Sequence, residues 1–122
     1  MTIRLVIPEA SPSLNKYAFR HWRVQHTDKK RWLLMLYATS RRAKAAPATG
    51  KRRLTIERHG SRRLDVDNII GGAKGCITDN LRKLGLLLED DDSAVEFVAL
   101  NVRLEGAQKP HTVLILEDIP NG

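Results

Sequence analysis

Residues 63–68 of the chain read "RLDVDN", two aspartates separated by one valine. In an extended segment residues two apart point to one side, so Asp65 and Asp67 are expected to face one way while Val66 turns to the core. Two ionised carboxylates held that close repel and raise each other's pKa. A divalent cation between them removes the conflict. Hard oxygen ligands on one side, with positions left for water and phosphate, suit Mg²⁺. A second acidic run, "EDDD" (Glu89 to Asp92), follows the helix expected to start beside Asp67. Such a helix spans roughly 25 Å at 1.5 Å per residue, so Asp92 meets Asp67 only if the chain travels back. Lys74 lies seven residues after Asp67, two helical turns along on roughly the same face. A lysine there would offset charge developing on a phosphate. Gly71 and Gly72 stand between them, where another backbone, a metal or a phosphate must come close.

Taken singly, each feature has a plainer explanation. Paired aspartates cap helices and offset their dipoles. Acidic runs form solvated turns, and lone lysines sit on surfaces. Their conjunction on a basic chain points to a metal site that handles phosphodiesters. Net charge is +7, from 21 Lys and Arg against 14 Asp and Glu. Residues 1–88 carry 19 basic and 6 acidic groups, whereas residues 89–122 carry 2 and 8. A basic body with a segregated acidic segment suits a polyanion partner. A solvated basic surface with no nucleic-acid role explains the charge equally well.

The segment "SPSLNKYAFRHWR" interleaves Asn15, Lys16, Arg20 and Arg23 with Tyr17, Phe19 and Trp22. Cations for phosphates and flat rings for sugars or bases make a nucleic-acid-binding composition. Trp22 is expected to be partly packed and the arginines outward. Arg62, Arg63 and Asn68 flank the aspartate pair and join the expected DNA contacts. Other chemistry is poorly supported. "GGAKG" lacks the spacing of a phosphate loop. His21 and His26 do not match a helical metal-ligand pair. Ser11, Ser13 and Ser40 have no evident base, and Cys76 has no histidine close in sequence. One cysteine allows no internal disulfide and fits a reducing compartment. The longest apolar run, Trp32 to Ala38, is too short to cross a bilayer, and the N-terminus lacks a signal-peptide pattern. A cytoplasmic protein with no membrane partner and no small-molecule cofactor is expected.

The elements that must position these residues follow from pattern. A length of 122 residues suggests one domain over 1–122. Ile3 to Pro8 reads as a short strand ended by its proline. A helix capped by Thr27 or Asp28 is expected to run to about Ala46, with Trp32, Met35, Leu36 and Thr39 facing the core. Pro47 and Gly50 end it. Lys51 to Gly60 sets Leu54, Ile56 and Arg58 against Arg53, Thr55 and Glu57, a half-buried strand. A second helix is expected from about Asn68 to Leu84, with Ile70, Ala73, Ile77, Leu81 and Leu84 inward and Gly85 closing it. Ala94 to Glu105 and His111 to Asp118 read as strands joined in a hairpin. The order β-α-β-α-β-β predicts an α/β (mixed α+β) fold, a mixed sheet with helices packed on it.

The run "RRLDVDN…AKGCITDNLRKLGLLLEDDDSAV" resembles the core of the RusA-type Holliday junction resolvases. The shared pattern is D-x-D-N opening a helix, a lysine on it, D-x-L near its end, then D-D before a strand. "IPEASPSLNKY" is similar to that family's early Pro-Ser-x-Asn segment. The resemblance extends from Ile3 to about Val95. It implies a homodimeric, Mg²⁺-dependent endonuclease, with Mn²⁺ as a substitute, that cuts four-way DNA junctions and is often encoded by prophages. By position Asp65 and Asp67 match the metal-binding pair. Asp92 matches the third acid because it precedes "SAV", with Asp91 one register away. The family's lysine falls one turn after the pair, where this chain has Gly71. Lys74 would then take that role behind a one-turn insertion at "GGAKG". The reading from a different class is a non-catalytic DNA-junction-binding or architectural protein with the same fold.

Overall fold

A computed structural model describes residues 2–13 and 22–120 of the chain. Strand β1 (Thr2–Ile7) buries alternate residues, Ile3, Leu5 and Ile7. Helix α1 (Trp22–Arg42) starts ahead of Thr27 and Asp28, so neither caps it. The Thr27 hydroxyl donates to the Arg23 carbonyl one turn back, at 2.9 Å, an alternative open to threonine inside a helix. Asp28 is buried and accepts from Arg31 at 2.8 Å.

The helix also stops at Arg42, short of Ala46. Lys44 takes a left-handed backbone, φ 53°. Its N–H donates to the Arg41 carbonyl, and the Ala45 N–H to that of Ser40. These bonds satisfy the last carbonyls of the helix. Trp32 and Leu36 are fully buried, whereas Met35 packs only partly against the core.

Strand β2 (Arg52–Gly60) is followed by helix α2 (Val66–Ala73), a π-helical turn over Lys74–Thr78 and helix α3 (Asp79–Lys83). Ile69, Ala73, Cys76, Ile77 and Leu81 are buried along this stretch. Ile69, one position from the expected Ile70, takes the inner place. Gly85 closes the stretch at φ 79°. Its N–H donates to Arg82 and that of Leu86 to Leu81, the two bonds of a left-handed helix stop.

Strands β3 (Val95–Arg103) and β4 (His111–Asp118) complete one four-stranded sheet, ordered β1-β4-β2-β3. β4 is antiparallel to both β1 and β2, and β2 runs parallel to β3. The fold is therefore mixed α+β. The expected β3–β4 hairpin does not form, because β2 lies between the two strands. Burial explains the order. β2 buries Arg52, Leu54, Thr55 and Ile56, so it needs a neighbour on each edge. β3 leaves Glu96, Leu100, Val102 and Arg103 exposed, which suits an edge. The link from β3 crosses the end of β2, where the Leu104 N–H donates to the Gly60 carbonyl at 3.2 Å. His59 and His111 stack beside it with ring centroids 4.1 Å apart.

The register sets where the core stops. Leu5, Leu114, Ile56 and Ala99 form one row across the four strands, all buried. The next row on the same face is Ile7, Thr112, Arg58 and Asn101. Polar side chains thus replace apolar ones at the C-terminal end of β2 and β3. In sheets with parallel strands, ligands bind at that end.

Candidate functional site

The chain leaves β2 through Ser61–Leu64 and enters α2 at Val66. Asp65 is the N-cap, at φ −75° and ψ 166°, and its Oδ1 accepts from the Asn68 N–H at 2.9 Å. The helix starts so early that strand-like alternation ends at Asp65. Val66 consequently lies 51% exposed rather than in the core. Asp67 occupies the first turn, exposed like Asp65. The positive end of the helix stabilises both carboxylates. Asp65 Oδ2 takes no part in the cap bond, so the pair offers hard, exposed oxygen donors. With the chain helical from Val66, residues two apart no longer share a side, so the expected common facing of Asp65 and Asp67 does not hold. Each is an exposed oxygen donor that could contact a hydrated Mg²⁺.

Asp65 shares a hollow with one basic and one amide side chain. One open hollow of about 650 Å³ is lined by Arg63, Asp65, Ala99 and Asn101, among others. A neighbouring hollow of about 460 Å³ is lined by Ser61, Arg63, Asn101 and Arg103. Arg63 and Asn101 belong to both. Arg62 is exposed on the same connection. Lys74 is exposed at the first position of the π-helical turn, roughly 10 Å along the axis from Asp67 at 1.5 Å per residue. A π-helical turn absorbs one additional residue in a helix and recurs at functional sites. It overlaps the end of the "GGAKG" stretch, where the resemblance implies an insertion.

The third acid lies elsewhere. Asp91 builds the turn into β3: its Oδ1 accepts from the Ser93 N–H at 2.9 Å and from the Ser93 hydroxyl. Those bonds hold its carboxyl below the usual carboxylate range. Its carbonyl accepts from the N–H groups of Ala94 and Val95. Asp92 is exposed in the same turn. Val95 pairs with Arg52, at the opposite end of β2 from Gly60. From Val95 to Ala99, beside Asp65, is roughly 13 Å of strand. Among the described residues, no three His, Cys, Asp or Glu side chains are grouped so as to hold one metal ion. The structure therefore places Asp65 with Arg63 and Asn101 on one hollow, leaves Asp67 outside that lining on the first turn of α2, and sets Asp91 and Asp92 apart.

Asn15, Lys16 and Arg20, with Tyr17 and Phe19, lie outside the described residues. Arg23 is exposed, its guanidinium 5.2 Å from the centroid of the Trp22 ring. Trp22 is 65% exposed, more open than the partial packing expected of it. Trp22 also lines a hollow of about 250 Å³ with Gln25, His26 and Lys29.

Four polar residues at this end of the sheet escaped the sequence pattern: Ser11, Arg58, Asn101 and Arg103. The signal for Arg58 was available. It continues the Leu54 and Ile56 alternation, so it had to enter the covered face. In the sequence Asp79 is only the aspartate of the D-x-L pattern, which gives no hint of its pairing. It accepts from Lys29 and Arg82 and lies 3.7 Å from Lys83. Lys29 above all lowers its pKa to about 2. No protein-family model matches the chain, and no curated protein matches it.

Proposed function

We propose that the chain is a Mg²⁺-dependent endonuclease of the RusA type that resolves four-way DNA junctions in recombination or repair. The observation that carries this reading is Asp65 at the start of α2, in a hollow with Arg63, with Asp67 exposed on the first turn of the same helix. Asp65 and Asp67 would hold the cation. When bound, it would polarise a phosphodiester oxygen and lower the pKa of the attacking water. Arg62, Arg63 and Asn68 would seat the DNA backbone so that the scissile phosphate meets the carboxylates. Lys74 would offset the charge that grows on the phosphate. Asp92, or Asp91, is the third acid that the resemblance implies. The β2–β3 register sets both at the far end of β2, so Asp65 and Asp67 carry the metal in this reading. A homodimer suits a branched substrate with twofold symmetry. Exposed Val6, Leu100 and Val102 on the outer face of the sheet are consistent with a second copy there. Among the described residues no helix is long and apolar enough to cross a membrane. The proposed place of work is the cytoplasm, on chromosomal or prophage DNA.

Labelled four-way junctions with Mg²⁺ test the reading, comparing the unsubstituted chain with Asp65→Asn and Asp67→Asn. Either substitution is expected to abolish cleavage while junction binding in EDTA persists. Equal cleavage by all three proteins would sink it. The separation of Asp92 from Asp65 favours the second reading, a junction-binding protein without catalysis. Tight, salt-sensitive binding with no product after Mg²⁺ addition to the unsubstituted chain would establish that one.

A further inference from the structure

We propose that Ser11 and Arg58 form a binding pocket for a phosphate-type oxyanion, distinct from the carboxylate pair. Ser11 is fully buried, yet its Oγ has no hydrogen-bond partner. Arg58 sends its Nε–H to the Ser11 carbonyl at 2.8 Å, while its Nη1 is buried without a partner. Both side chains line a hollow of about 290 Å³ at the rim of β1, β2 and α1. Leaving a buried hydroxyl and a guanidinium nitrogen unpaired is expensive. An oxyanion satisfies both, since a hydroxyl and a guanidinium N–H are the donors it needs.

The hollow holds two carboxylates and two arginines, so its formal charge sums to zero, but the pairing is uneven. Glu9 and Asp28 also line it, but Arg31 holds both. Its Nε and Nη2 donate to Glu9 at 3.0 and 2.5 Å, and its Nη1 to Asp28 at 2.8 Å. No carboxylate among the described residues is paired with Arg58. Burial depresses the Arg58 pKa, and the two carboxylates that share its hollow are bonded to Arg31 instead.

Gly60 prepares the place. It lies two residues from Arg58 on the same face of β2, and the guanidinium lies across it. A Cβ at Gly60 would stand 2.5 Å from Arg58 Nη1, so any side chain there would push the guanidinium aside. The pocket opens at the same end of the sheet as Asp65. An oxyanion there could be a backbone phosphate of bound DNA or a free phosphate. The DNA source rests on the function proposed above; the pocket does not.

The test is calorimetric titration of inorganic phosphate into the full chain, at constant ionic strength in chloride and without Mg²⁺. One saturable site is expected. Ser11→Ala and Arg58→Met should each weaken it at least tenfold, and Gly60→Ala should weaken it with the charge retained. Absence of a saturable site in the unsubstituted chain would overturn the proposal, as would unchanged affinity in a folded Arg58→Met. Binding of a DNA duplex at several salt concentrations separates the sources. If a DNA phosphate occupies the pocket, Arg58→Met lowers the salt slope by about 0.9. An unchanged slope with phosphate binding lost supports the pocket and assigns it to free phosphate. Junction cleavage is read separately, so loss of one result leaves the other standing.

Discussion

Each end of β2 places an arginine on the face that the helices cover. Arg52 is 2% exposed, and all three of its guanidinium nitrogens are used. Nε donates to Asp118 at 2.8 Å, Nη1 to the Leu86 carbonyl at 2.9 Å and Nη2 to the Pro47 carbonyl at 3.2 Å. Arg58 has one bond to a carbonyl and an orphaned Nη1. The contrast separates two uses of one residue type. At the Arg52 end the cation ties the last strand and two connections together. At the Arg58 end the same group is buried but unfinished, beside the exposed aspartates and the arginine-lined hollows. Complete pairing marks a structural end, and incomplete pairing marks an end that receives something.

The largest effect should come from exchanging the two arginines one at a time. Arg52→Met orphans two carbonyls and releases Asp118, at a cost of about 3 kcal/mol. Arg58→Met removes a buried charge that lacks a carboxylate partner, so stability should change by less than about 1 kcal/mol in either direction. Urea unfolding of both variants checks this. Equal losses would erase the distinction between the two ends.

Acid titration sharpens the contrast for the carboxylates. Asp79 is held to about 2 by Lys29, against an ordinary 3.8. Its folded pKa lies below its unfolded one, so its contribution is present above about pH 4 and is lost as pH falls towards 2. Asp79→Asn should cost on the order of 1 kcal/mol at pH 6, allowing for solvent screening. That gap should close near pH 2. A gap of the same size at both pH values would show that Asp79 acts by packing instead.

The helix stops give a smaller contrast within the closed end. Gly85 sits at φ 79° and Lys44 at φ 53°. Gly85→Ala should cost about 1 kcal/mol, because a Cβ is disfavoured in that conformation. Lys44→Gly should gain about 0.5 kcal/mol by relieving the same strain. Thermal unfolding of the pair reads both signs, and a destabilised Lys44→Gly would break the parallel.

Much of this was legible in the residues. Apolar alternation located the four strands, and 3.6-residue spacing located both helical stretches. Gly85 marked its stop correctly. The misreadings share a cause: local signals yielded to tertiary ones. Adjacent strands usually pair, yet the burial demands of β2 drew it between β3 and β4. Thr27 and Asp28 look like caps, but one bonds back along the helix and the other pairs with Arg31. Val66 was assigned to the core by strand alternation, which stops one residue earlier because Asp65 caps α2. Within the candidate site the common facing of Asp65 and Asp67 was not readable, because it assumes an extended segment and the helix begins at Val66. Nor was the position of Asp92, since it depends on the parallel register of β2 and β3. Ser11 has no evident base, and its interest lies instead in a buried hydroxyl without a partner.

The sheet order has a consequence for how the chain folds. Among the described residues β1 pairs with β4 alone, so Thr2 waits for Glu117. Pairings that distant in sequence are slow to form. While the chain is being made, β1, α1, β2, the helical stretch and β3 can gather, but β1 stays an unpaired ribbon. Only the final strand slides between β1 and β2 and joins them. A ribosome-stalled chain ending at Arg103 should therefore leave residues 2–7 open to protease, and release of the remaining residues should close them.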